Sequence, residues 1–208
     1  MQGSSGPISR PWLLVDVVVK AATVSLLVWA VLNPDLPQFS GKAFAGRALA
    51  YPIALLLLPI LWWLFGRSRM AFPVVADILL GLPFLIDVAG NAANLYDSID
   101  WWDDANHFVN WALHTAAIAL LLRIGPWGYR TRVALAFCWA VTTAVLWEFA
   151  EAVTFVPGSA EASTAYGDTL LDLALGMLGG LIAALVVGRV RPPIREEPTR
   201  DVGAPVRG

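Results

Sequence analysis

Six stretches of roughly twenty residues, each dominated by apolar side chains, set the limits on what this chain can become. They run over about 12–32, 48–66, 71–90, 105–124, 133–156 and 168–188. A helix needs roughly 20 such residues to cross the hydrocarbon of a bilayer. The connections between them are short and leave no room for an extramembrane domain. The expected fold is all-α: a polytopic membrane helix bundle of about six transmembrane helices, spanning 12–188. A polar, glycine-rich segment, 1–11, precedes it, and a tail rich in Arg, Glu and Pro, 189–208, reads as disordered. The first run carries Asp16 and Lys20 and ends at Asn33-Pro34 with no small-residue cleavage site. It therefore reads as a retained helix rather than a signal peptide.

Composition agrees. Charged residues make up 14% of the chain and hydrophobic ones 58%, with a mean hydropathy of +0.65. Soluble domains carry about 25% charged residues, and a water-soluble fold could not hide so much apolar surface. The single cysteine, Cys138, excludes an internal disulfide. No nucleophilic Ser or Cys motif, phosphate-binding Walker loop or dinucleotide fingerprint is present, and no nucleic-acid partner is expected.

Lys and Arg favour the cytoplasmic side of a membrane. Arg67 and Arg69 lie in one connection, Arg123, Arg130 and Arg132 in another, and Arg189, Arg191, Arg195, Arg200 and Arg207 in the tail. The connections 91–104 and 157–167 contain neither Lys nor Arg. Both termini are therefore expected in the cytoplasm, at the cell membrane. Lys42 and Arg47, in the first outer loop, run against this pattern.

The informative residues are the ionisable ones within the spans. Asp103, His107, Asn110 and His114 follow i, i+4, i+7, i+11 spacing and form one stripe on the fourth span. Glu148 and Glu151 share a face near the end of the fifth span, Asp168 and Asp172 at the start of the sixth, and Asp87, Asn91 and Asn94 where the third ends. With the termini inside, all of these acids fall within about two helical turns of the outer face. Intramembrane carboxylates are costly unless paired, protonated or metal-bound. The layer is expected to hold almost no base, since Lys20 already has Asp16 one turn away. Carboxylates with imidazole suit Mn, Mg, Fe or Zn, so Asp103, His107, Glu148, Glu151, Asp168 and Asp172 are the candidate ligands of a divalent cation.

Structural roles compete with this reading. Asp103 and Asp104 suit a role as solvated caps of the fourth helix, a role that fits Asp104 as well as any functional one. His114, halfway down its helix, suits an interhelical hydrogen bond. Asn91 and Asn94 fit a solvated loop, as do Asp97, Asp100 and Glu161. Gly176, Gly179 and Gly180 suit close helix packing.

The order of these motifs also carries a resemblance. Asp103-x-x-x-His107-Phe108 opens a helix, Glu148-x-x-Glu151 ends the next, and Asp168-Thr169-x-x-Asp172 begins a glycine-rich last helix. This resembles the VanZ-like proteins and the related YjdF-type inner-membrane proteins over about residues 85–188. Gly176 stands where many VanZ-like sequences have Asn, and Glu151 where they often have Gln. The resemblance implies a polytopic protein linked to the cell envelope and to glycopeptide tolerance; it implies no reaction.

Three functions remain open: a metal-dependent envelope enzyme reaching lipid-linked substrates from the outer leaflet, a proton- or cation-coupled transporter, and a non-catalytic membrane partner whose polar network fixes helix packing.

Overall fold

The computed structural model describes residues 10–68, 70–154 and 163–190. Arg69, Glu161, Arg191, Arg195, Arg200 and Arg207 lie outside the described residues, as do most of the 157–167 connection and nearly all of both terminal segments. Seven helices form, with no strand among the described residues: α1 (Arg10–Leu32), α2 (Phe44–Leu61), α3 (Val74–Ala92), α4 (Leu95–Ser98), α5 (Trp102–Leu122), α6 (Tyr129–Thr154) and α7 (Ala165–Gly188). The six long ones coincide with the six expected spans to within a few residues. The short α4 lies in the connection after the third span.

The burial pattern is the reverse of a water-soluble domain's. Leu14, Val17, Val18, Leu49, Ile53, Leu146, Phe149 and Val186 face outward, whereas Asp16, Thr23, Asp77, Asp87, Asn91, His107, Thr115, Glu148 and Asp172 are buried. A helix surface this apolar is stable only against lipid. By length and apolarity, α1, α2 with its extension, α3, α6 and α7 can cross a membrane. The chain is thus an all-helical, membrane-embedded protein. The remaining long helix, α5, carries the polar stripe, and it packs against α3, α6 and α7, which removes that stripe from lipid.

Two helices, α5 and α7, run parallel in a fixed register. A Cβ on Gly176 would strike the Trp111 ring, one on Gly180 would come within 2.5 Å of Ala140 Cβ and 3.1 Å of Thr115 Oγ1, and one on Gly179 would overlap the Phe108 carbonyl oxygen. At Gly179 the backbones approach too closely for a side chain; at Gly180 the space is taken by Ala140 Cβ, and at Gly176 by the Trp111 ring.

On the other side of the bundle, α1 packs against α3. Lys20 Nζ donates to both Asp16 and Asp77 there. The Asp16–Lys20 pair follows from the sequence spacing; Asp77, from a different helix, joins it only in three dimensions. α2 contains Pro52 and Pro59. Proline lacks an N–H and crowds the preceding turn. The helix widens after Pro59 into a π turn, Trp62–Gly66, closed by Arg67 N–H donating to Trp62 O at 2.8 Å. The connection from α1 to α2 folds inward, with Phe39 packed edge-on against Trp29 and Phe44.

Candidate functional site

At one end of the bundle the polar residues line a cavity of about 570 Å³. Helix geometry explains why they meet. His107 is five residues into α5, Asp172 seven residues into α7, and Glu148 six residues from the end of α6. At 1.5 Å per residue, each lies about 7–11 Å from its helix end, and α6 runs antiparallel to the other two.

The imidazole of His107 is the centre of the arrangement. Its Nε2 is 3.8 Å from Asp103 Oδ1 and 3.7 Å from Asp172 Oδ1, and its Nδ1 is 3.7 Å from Glu148 Oε1. His107, Glu148 and Asp172 are all more than nine-tenths buried, while Asp103 is half exposed toward the cavity. His107 Nδ1 and Asp172 Oδ1 are buried and make no hydrogen bond. An unpaired buried polar atom carries a desolvation penalty, and two lie here within a few ångströms of further carboxylates.

Ligand atoms from Asp103, His107 and Asp172 lie within 4.8 Å of one another, and so do those from His107, Glu148 and Glu151. Two donors bound about 2.1 Å from one ion cannot be more than about 4.2 Å apart, so the 3.7–3.8 Å separations fit donors that share an ion. Of the six candidate ligands, five therefore fall into two groups joined by His107. The sixth, Asp168, is exposed and lines the cavity outside both groups. Glu151 is held by Trp147 Nε1, which donates to Oε1 at 2.7 Å.

The expectation that this layer lacks a base is corrected. Arg47, on α2, places Nε 3.5 Å from Asp87 Oδ2, and Lys42 Nζ pairs with Asp97 at 2.7 Å. These two cations are therefore counter-ions of acids at the cavity end of the bundle, a role that the arginine pattern does not take into account. Asp87 also accepts hydrogen bonds from Tyr51 Oη at 2.6 Å, Tyr96 Oη at 3.2 Å and Asn91 Nδ2 at 3.2 Å. Asn91 is thus a buried partner of Asp87, not a solvated loop residue. Sequence reasoning missed Arg47, Tyr51 and Tyr96. The i, i+4 spacing of Arg47 and Tyr51 was the available signal, since it puts both on one face of a helix.

Tyr96 sits outside the spans, and burial, then the charge of Asp87, holds its phenol well above the ordinary tyrosine range. The N-cap of α5 is Trp101, without a side-chain capping bond, so the position expected to be capped by an acid is not. Asn94 adopts the left-handed conformation, φ 59°, in the exposed connection. Asp100 is exposed as well. His114 packs against Phe84 and Trp111. The Leu80 main chain of α3 is its polar neighbour, but no hydrogen bond of good geometry forms.

No curated protein and no solved structure matches the chain. One family model does, over residues 15–192, and it covers every cavity residue named above and all seven helices except the first five residues of α1. On that match the chain belongs to the family described as "Predicted membrane protein (DUF2238)".

Proposed function

We propose that the protein binds a divalent cation on the Nε2 side of His107, with Asp103 and Asp172, and acts there on the head group of a lipid-linked substrate of the cell envelope. The observation that carries this reading is the single imidazole of His107, faced on both ring nitrogens by carboxylates from three helices. A histidine that ligates a metal through one nitrogen commonly presents the other to a carboxylate, which fixes the tautomer and raises ligand basicity. Glu148 stands on the Nδ1 side in that position. Asp103, exposed to the cavity, leaves the ion open to a substrate.

A bound ion would supply Lewis acidity toward a phosphoryl or acyl group. Glu151, oriented by Trp147, is the carboxylate available to take a proton from an attacking water. The orientation with both termini in the cytoplasm supports an outer-leaflet site at the cell membrane. The motif order from Asp103 to Asp172 supports kinship with the VanZ-like and YjdF-type proteins. Transport and a purely structural role are outcomes of the same test.

The test is metal content and melting temperature of detergent-purified protein with Mn, Mg and Zn across pH. Wild type should gain stability from at least one ion, and less so as pH falls, because protons compete for the ligands. Asp172→Asn should abolish the gain. Glu148→Gln should weaken affinity about 10–100-fold, and Asp100→Asn should leave it unchanged. A wild-type protein that no divalent ion stabilises would defeat the metal reading.

A further inference from the structure

A second cavity, of about 380 Å³, lies at the opposite end of the bundle between α6 and α7. It is lined by Tyr129, Arg132, Gly188 and Arg189. Arg132 and Glu148 are sixteen residues apart on α6, about 24 Å along its axis, so this pocket is separate from the acidic one.

Its central feature is a buried guanidinium that, among the described residues, has no carboxylate beside it. Arg132 is 6% exposed. Nη2 donates to Gly188 O at 2.8 Å and Nη1 to Trp127 O at 3.2 Å, while Nε is buried with no hydrogen-bond partner. Among the described residues no acid pairs with it. Gly188 O closes the C-terminus of α7, whose dipole supplies only about half a negative charge; the carbonyls therefore satisfy N–H groups without neutralising the full charge, and a buried charge left partly uncompensated is unfavourable. The surroundings add positive charge: residues 122–133 and 185–190 contain Arg123, Arg130, Arg132 and Arg189 and no acid. Gly188 keeps it tight, since a Cβ there would come within 2.9 Å of Val133 Cγ2. Exposed Trp127 and Tyr129 flank it, side chains suited to the level of lipid head groups.

We propose that this pocket binds a phosphate group on Arg132 and Arg189, carried by an anionic phospholipid or present as free phosphate. Guanidinium groups match phosphate oxygens in geometry as well as charge, and basic pockets between membrane helices recognise such head groups.

The full-length protein in detergent is titrated with phosphatidylglycerol, phosphatidylcholine and inorganic phosphate while its melting temperature is followed. Saturating phosphatidylglycerol should raise the melting temperature by about 5–10 °C, and zwitterionic phosphatidylcholine should not. An equal rise with inorganic phosphate assigns the site to free phosphate; a rise with the lipid alone assigns it to the head group. Arg132 also holds the end of α7, so the deciding variant is Arg189→Gln, at an exposed position, which should lose most of the rise. Arg130→Gln, outside the pocket, should retain it. Equal responses from wild type and Arg189→Gln overturn the proposal, as does an equal loss in Arg130→Gln, which would mean surface charge alone.

Discussion

Arg47 Nε stands 3.5 Å from Asp87 Oδ2 and joins α2 to α3 at the wall of the acidic cavity. Both side chains are largely withdrawn from solvent, so neither is easily spared its partner. Arg47→Met should lower stability by about 3–5 kcal/mol, because it strands a buried carboxylate. Adding Asp87→Asn should recover part of that loss. A double-mutant cycle read by thermal denaturation in detergent checks both, and purely additive effects would show that the two charges do not interact.

The glycines of this chain should not be equivalent. Gly179→Ala pushes a methyl group into the Phe108 carbonyl, whereas a Cβ at Gly46 meets nothing. Overpacking of this kind costs roughly 1–3 kcal/mol, while Gly→Ala on an open helix face gains up to about 1 kcal/mol. The two variants should move the melting temperature in opposite directions.

Tyr96 should resist ionisation. An unperturbed phenol titrates near pH 10, and burial beside Asp87 shifts this one upward. The folded state therefore favours the neutral form, and this contribution works against stability only as pH rises through the unfolded value, where the unfolded chain alone can release its proton. Phenolate absorbance between pH 9 and 11 should be the same in wild type and Tyr96→Phe. A smaller phenolate signal in the variant would place Tyr96 in solvent.

A reporter fused after Arg195 should report the cytoplasm and one inserted near Ser159 the outside, given the arginines on one side and their absence from the other. A cytoplasmic 157–167 connection would reverse the orientation and place the His107 cavity at the inner leaflet.

Hydropathy made the helices legible, because a span long enough to cross a bilayer leaves a run of apolar residues that no short motif imitates. It also made the depth of the acids legible, since antiparallel helices bring the end of α6 level with the starts of α5 and α7. Lateral neighbours were not legible. Asp16 and Lys20 pair within one helix and could be read from spacing, but Asp77 reaches Lys20 across 57 residues, and Arg47 reaches Asp87 across two helices. Hydropathy places Arg47 in a loop, because the apolar run begins at 48 whereas α2 begins at Phe44. A charged residue in the first turn of a membrane helix looks like a loop residue to any hydropathy argument.

For the ion site proposed at His107, the Gly179–Phe108 approach bears on which ion would fit. His107, Trp111 and Thr115 stand opposite Asp172, Gly176 and Gly180, matching steps of four on two parallel helices. Sliding one helix by a single residue would move it about 1.5 Å and break all three pairings at once. The 3.7 Å gap between His107 and Asp172 is therefore set like the jaw of a calliper, by glycines one to two turns away that touch no ligand. An ion too large for that opening would have to pry apart the most closely packed seam in the bundle, so selection by radius would reside in Gly176, Gly179 and Gly180 as much as in the carboxylates.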